Sequence, residues 1–229
     1  MAAGAERQEM ANRIELALSA VAKALGLVGT RFAVVGGLAV SARSRPRGTG
    51  DVDLAVPAVD DVAAEAIVHA LTRQGYRVRT LIEHRVTGRM ATVRFDPPDP
   101  KTQGVLVDLL FAASGIELEI VTHARACEFA SGPLPTATLG HLIAMKLLSE
   151  APHRPDDASD LIAMLAVASV RDLSTARAAA KLISARGYAR RQDLLLKLER
   201  FRKLAAAASG DLRPVDRARS GKRSRRPKP

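Results

Sequence analysis

Apolar residues recur at Ile14, Leu18, Val21 and Leu25, the spacing of one helix face, and predict an amphipathic helix ending near Gly26. The pattern then shortens. Arg31–Val35 reads as a first strand, Leu38–Ser44 as a short helix and Val52–Val56 as a second strand. Asp60 is placed to cap a helix reaching about Gln74, with Gly75 ending it. Tyr76–Ile82 reads as a third strand, and Arg89–Phe95 and Val105–Phe111 as a strand pair joined by the turn-rich DPPDPKTQG. From about Ala124 the pattern turns helical, over Thr138–Glu150, Asp157–Val167, Ser174–Ala185 and Arg190–Ala208. The fold class expected is α+β, a mixed sheet flanked by helices followed by a helical bundle. The division expected is 1–125, 126–208 and a basic disordered tail over 209–229, with SGPLP as linker.

Composition narrows the function classes. The chain has 229 residues, 47% of them hydrophobic, yet no run approaches the roughly 20 apolar residues of a membrane span. MAAGAERQEM has no basic stretch leading into an apolar one, so no secretory signal and a cytoplasmic location are expected. Cys127 is the single cysteine, which excludes an internal disulfide and a cysteine-based zinc site; it is expected to pack as a small buried hydrophobe. The net charge is +11, and residues 209–229 hold eight Lys or Arg against two Asp. That tail is either a solvated terminus or a contact to nucleic-acid phosphates. Aromatic residues make up only 3%, so base stacking has little to work with and charge would dominate such binding.

Candidate chemistry concentrates in VVGGLAVSARSRPRGTGDVDLAV, residues 34–56. Alternation along a strand puts Asp51 and Asp53 on one face, with Val52 and Leu54 toward the core. Adjacent carboxylates repel unless a cation sits between them, and Mg²⁺ favours such oxygen clusters together with substrate phosphates. Gly36 and Gly37 would let backbone approach a phosphate at the start of the following helix. Asp108, in the apolar GVLVDLLFA, is a carboxylate out of place: it faces solvent by chance or completes a three-carboxylate cation site. A second constellation lies in LGHLIAMKLLSEAPHRPDDASDLIAML, where Lys146 emerges from an apolar stripe and Asp157 shares a face with Leu161 and Met164. Lys146 snorkels to solvent or meets an anion such as a triphosphate or Asp157. Arg154 stands in the turn between them. His69 and Glu65 read as a solvated helix face, His84, His123, His141 and His153 lack metal-ligand spacing and are assigned no role, and Glu117 and Glu119 in GIELEI read as a surface strand edge.

GG-LAV, then Arg47 to Leu54 (RGTGDVDL), then VDLL around Asp108, resemble the nucleotidyltransferase superfamily with the DNA polymerase β-type fold. KLLSEAPHRPDDASDL, from Lys146 to Leu161, resembles the AbiE-type toxin nucleotidyltransferases of type IV toxin–antitoxin systems. The similarity spans roughly residues 30–165. It implies transfer of a nucleoside monophosphate from an NTP to an acceptor hydroxyl, in some members the 3′ end of tRNA, with a cognate antitoxin as a possible partner. It implies that Asp51, Asp53 and Asp108 bind Mg²⁺, Asp108 alternatively acting as base. By the same resemblance Gly36 and Gly37 receive the nucleotide phosphates, Lys146 and Asp157 are catalytic, and Arg47 and Arg154 contact phosphate. Many members have Ser or Thr after the second glycine, where this chain has Leu38. A small-molecule acceptor, as in aminoglycoside nucleotidyltransferases, a protein acceptor, and a non-catalytic nucleic-acid-binding module are the alternatives.

Overall fold

The computed structural model describes residues 2–210; the basic tail expected over 209–229 lies, from residue 211 on, outside the described residues. Its strands are β1 (Ala33–Val34), β2 (Asp51–Ala55), β3 (Arg77–Glu83), β4 (Met90–Asp96), β5 (Leu106–Leu110), β6 (Arg125–Phe129) and β7 (Gly132–Thr136). Its α-helices are α1 (Ala2–Leu27), α2 (Gly36–Arg43), α3 (Asp61–Thr72), α4 (Glu117–Thr122), α5 (Leu139–Ser149), α6 (Pro155–Val167), α7 (Val170–Ala185) and α8 (Leu194–Gly210). The strands form one mixed sheet in the order β3-β4-β5-β2-β1-β7-β6. At its centre β2 and β5 run parallel, while β1 joins β2 and β4 joins β5 antiparallel. Val52, Leu54, Val107 and Leu109 are fully buried, so the alternation read from sequence sets the core face of the central strands.

Helix ends follow local chemistry. The Asp60 carboxylate accepts a hydrogen bond from the Ala63 amide at 2.8 Å and caps α3, as expected. Pro155 opens α6, where a missing N–H costs nothing. Ser169 and Asp172 form a reciprocal capping box that starts α7 four residues earlier than the apolar pattern suggested. Helices α5 to α8 pack on one another, and α5 and α6 also touch α2. No helix among the described residues is long and apolar enough to cross a membrane.

Several expectations are corrected. SGPLP is not a linker: residues 132–136 form β7, and with β6 they extend the sheet past the point where only helices were expected. β1 reaches β7 only at Thr136, so most of that edge has no ladder for Pro133 and Pro135 to break. GIELEI is not a strand edge: Glu117 and Glu119 begin α4, where Glu117 is buried and accepts hydrogen bonds from the Ser114 amide and hydroxyl. α8 starts at Leu194 rather than Arg190, because Arg190 and Arg191 lie in a left-handed turn. Cys127 is half-buried on β6 rather than a core residue.

Candidate active site

Strand register assembles the polar cluster. Asp53 on β2 lies directly beside Asp108 on β5, and Asp108 lies directly opposite Arg94 on β4. Paired residues share a sheet face, so these three side chains form one rank across three strands, with Asp51 two residues from Asp53 on the same face. Arg94 forks onto Asp108, Nε to Oδ1 at 2.7 Å and Nη2 to Oδ2 at 2.6 Å, and Nη2 stands 3.8 Å from Asp51. Arg94 was not singled out from sequence. Its signal was an arginine at a polar position of an alternating strand, but only the β4–β5 register shows what it faces.

The glycines fit against this rank. Gly36 has φ +60°, and a Cβ there would lie 1.9 Å from Asp53 Oδ2. A Cβ on Gly37 would lie 2.6 Å from Thr49 Oγ1 and 2.9 Å from Arg47 Nη2. Both positions therefore exclude a side chain, the first by conformation and contact, the second by contact alone. The loop over 44–50 is tied back to α2 by Ser41, whose hydroxyl donates to the Arg47 carbonyl and accepts from its amide.

Two helices complete the wall. Lys146 on α5 donates to Asp157 Oδ1 at 2.5 Å and stands 2.9 Å from Asp160 Oδ2. Asp157 and Asp160 are three apart and share a face of α6. Asp160 is only 1% exposed and also meets Arg47 Nε at 3.0 Å, so it holds the glycine-side loop and the lysine at once. Asp160 was not singled out from sequence. Its i+3 relation to Asp157 was the available signal. Arg154 Nε lies 3.5 Å from Asp157 Oδ2, a buried oxygen without a hydrogen-bond donor at bonding distance among the described residues.

These residues line a cleft with two compartments. One, of about 640 Å³, runs along Gly36, Gly37, Thr49, Asp51 and residues 153–157, including His153, which sequence reading had set aside. The other, of about 330 Å³, is walled by Val35, Leu110, Leu142 and Met145 and edged by Arg190. Gly36, Asp53, Arg94, Asp108, Lys146, Arg154 and Asp157 border both. Every sequence-predicted site residue except Arg47 and the glycine-side Gly37 and Asp51 thus borders or spans the division, and those three line the wider compartment.

Electrostatics follow from this crowding. Burial raises the Asp53 carboxyl to about 6, the charges of Asp108 and Asp51 push it the same way, and Lys146 and Arg94 oppose. Burial likewise raises Asp51, against Arg94. Burial pushes Asp157 up, but the hydrogen bond and charge of Lys146 outweigh it and hold this group below the usual carboxylate range. The hydrogen bonds to Asp108 hold the Arg94 guanidinium firmly protonated.

The donor chemistry fits a divalent cation at Asp51 and Asp53. The Asp53 carboxylate has no hydrogen bond or ion pair to a protein group among the described residues and is repelled by two neighbouring carboxylates, a strain a cation would relieve. Both oxygens of Asp108 are engaged by Arg94, and no three acidic, His or Cys side chains among the described residues are closed around one point.

No family model and no curated protein matches the chain. Among solved structures it is similar to an antigenic nucleotidyltransferase-like protein from Paracoccidioides brasiliensis, with 18% identity over 84% of this chain and 93% of that one and a TM-score of 0.48. It is also similar to the antibiotic-resistance factor ANT(2'')-Ia, at 19% identity over 90% and 94% of the two chains with a TM-score of 0.36. A third is the lincosamide antibiotic adenylyltransferase LnuA, at 11% identity over 67% and 96%, with a TM-score of 0.42. With every one of these TM-scores below 0.5, the functional reading rests on the site itself.

Proposed function

We propose that this protein is a Mg²⁺-dependent nucleotidyltransferase. It moves a nucleoside monophosphate from an NTP to an acceptor hydroxyl, with RNA, and specifically a tRNA 3′ end, as the acceptor. A toxin role, restrained by a partner antitoxin, belongs to the same reading through the motif resemblance. The observation that carries the reaction is the glycine turn pressed against Asp53 while Asp108 stands abreast of it, which sets a phosphate cradle beside a carboxylate pair.

In this reading Asp51 and Asp53 would hold Mg²⁺, with Asp108 beside them as the third carboxylate of the rank. Bound there, Mg²⁺ supplies charge neutralisation at the reacting phosphate. Gly36, Gly37 and Arg47 bound the compartment for the triphosphate, and Lys146 and Arg154 offer positive charge at its other wall. The acceptor oxygen attacks the α-phosphorus, the bond from that phosphorus to the β-bridging oxygen breaks, and pyrophosphate leaves. The hydroxyl proton passes to the carboxylate of Asp108, which borders both compartments, while Asp157 holds Lys146 at the cleft. Leu38 leaves phosphate binding in the turn to backbone amides.

The test is incubation of the full chain with each α-labelled NTP, Mg²⁺ and total RNA, beside Asp53→Ala. Label is expected in an RNA band with the wild type and absent with the variant. Equal labelling by Asp53→Ala would remove the cation assignment, and label confined to a small-molecule or protein fraction would replace the acceptor.

A further inference from the structure

The narrower compartment carries more information than its apolar wall. Four cations line it: Arg94, Lys146, Arg154 and Arg190. Three have carboxylate partners, Arg94 with Asp108, Lys146 with Asp157 and Asp160, and Arg154 with Asp157. Arg190 has none among the described residues. Its one hydrogen bond among the described residues is from Nη2 to the Ala113 carbonyl at 3.3 Å; the residue is exposed, and its charge also reaches His84. The carboxylates at this lining are Asp53, Asp108 and Asp157, and the latter two are occupied.

Arg190 is also placed there by an unusual turn. The Gln192 amide donates to the Ala189 carbonyl at 2.9 Å, and both central residues, Arg190 and Arg191, are left-handed, with φ +51° and +61°. Glycine and asparagine ordinarily fill such positions. An arginine side chain kept there is aimed by the turn rather than by a carboxylate. Desolvation by the cleft walls, then the charge of Arg154, lower the Arg190 pKa, a repulsion that an anion between the two guanidiniums would relieve.

We propose that Arg190 is a specificity-determining residue that, with Arg154, binds a phosphate next to the acceptor hydroxyl in the narrower compartment. The inference rests on the nucleotidyl-transfer reading and adds the charge class of the acceptor. In this compartment a phosphorylated acceptor meets an unmatched guanidinium, whereas a polycationic acceptor finds no free carboxylate outside the cation site.

The experiment compares wild type, Arg190→Gln and Arg191→Gln in the full chain. Arg191 does not line the compartment, so the two variants lose the same charge from the same turn but differ at the site. Fluorescence anisotropy follows binding of a single-stranded RNA oligonucleotide with a free 3′-hydroxyl, without NTP, and ribose 5-phosphate and tobramycin serve as competitors. Arg190→Gln is expected to weaken RNA binding at least tenfold and Arg191→Gln less than twofold. Arg190→Gly, which suits a left-handed turn, should reproduce the loss with an undiminished melting temperature. If ribose 5-phosphate instead shows the Arg190-dependent affinity and RNA does not, the phosphate site stands with a small phosphorylated acceptor. Equal effects of Arg190→Gln and Arg191→Gln, or tobramycin binding that Arg190→Gln leaves unweakened and that displaces RNA, would overturn the proposal. Mg²⁺–NTP binding, measured separately, should be kept by every variant; its absence from the wild type would count against the reaction, not against Arg190.

Discussion

At Asp53, burial and two neighbouring carboxylates raise the folded-state pKa to about 6, well above the usual carboxylate value. A group whose folded pKa is raised binds more protons folded than unfolded, so its ionisation opposes folding as pH rises. The penalty is absent below the unfolded value, grows between about pH 4 and 6, and is full above that. Asp53→Asn should therefore stabilise the cation-free protein by about 1–3 kcal/mol at pH 8, with the gain shrinking as pH falls through 6. Paired denaturant titrations at pH 8 and pH 4 check this, and a pH-independent difference would contradict it. Cation affinity should run the other way, weakening below pH 6 as Asp53 takes up its proton. Arg94 satisfies both oxygens of Asp108 through its bidentate fork, a partner the Asp53 carboxylate does not have among the described residues.

At the scale of elements, the β1–α2 junction is where backbone and chemistry meet. The Val35 amide donates to the Asp53 carbonyl at 2.9 Å, and Gly36 then turns with positive φ against the Asp53 side chain. Gly36→Ala should cost about 1–3 kcal/mol from the left-handed backbone alone, and should displace Asp53 and abolish transfer. A chemical denaturation curve and the labelling assay together check it, and full activity in a folded Gly36→Ala protein would contradict it. The glycines, Asp51, Asp53, Asp108, Lys146 and Asp157 were all legible because each is a polar or glycine interruption of an apolar pattern. Arg94 and Asp160 were not, because their meaning depends on strand register and on a helix docking against a loop. β6 and β7 were missed for a different reason. Pro133, Pro135 and Gly132 carry turn propensity, and only pairing at a poorly laddered edge makes them a strand.

Across the whole molecule, the cleft is built from both halves of the chain. β2, β4 and β5 present the carboxylates and Arg94, α5 and α6 present Lys146 and Asp157, and the turn before α8 presents Arg190. Asp160 is the buried link, joining Arg47 of the 44–50 loop to Lys146. Removing one partner of a buried ion pair leaves the others desolvated and unpaired, so Asp160→Ala should destabilise by about 3 kcal/mol and lower turnover with it. A melting temperature equal to the wild type would show that the loop and helices are held otherwise.

The central claim is that this cleft transfers a nucleotidyl group, and the position of the label in the NTP tests it most directly. Parallel reactions would receive the preferred NTP labelled at the α- or at the γ-phosphate, with Mg²⁺ and RNA. The account predicts that α-label enters the acceptor while γ-label is released as pyrophosphate, and that Asp53→Ala does neither. Transfer of the γ-label to the acceptor, or release of inorganic phosphate in place of pyrophosphate, would contradict it.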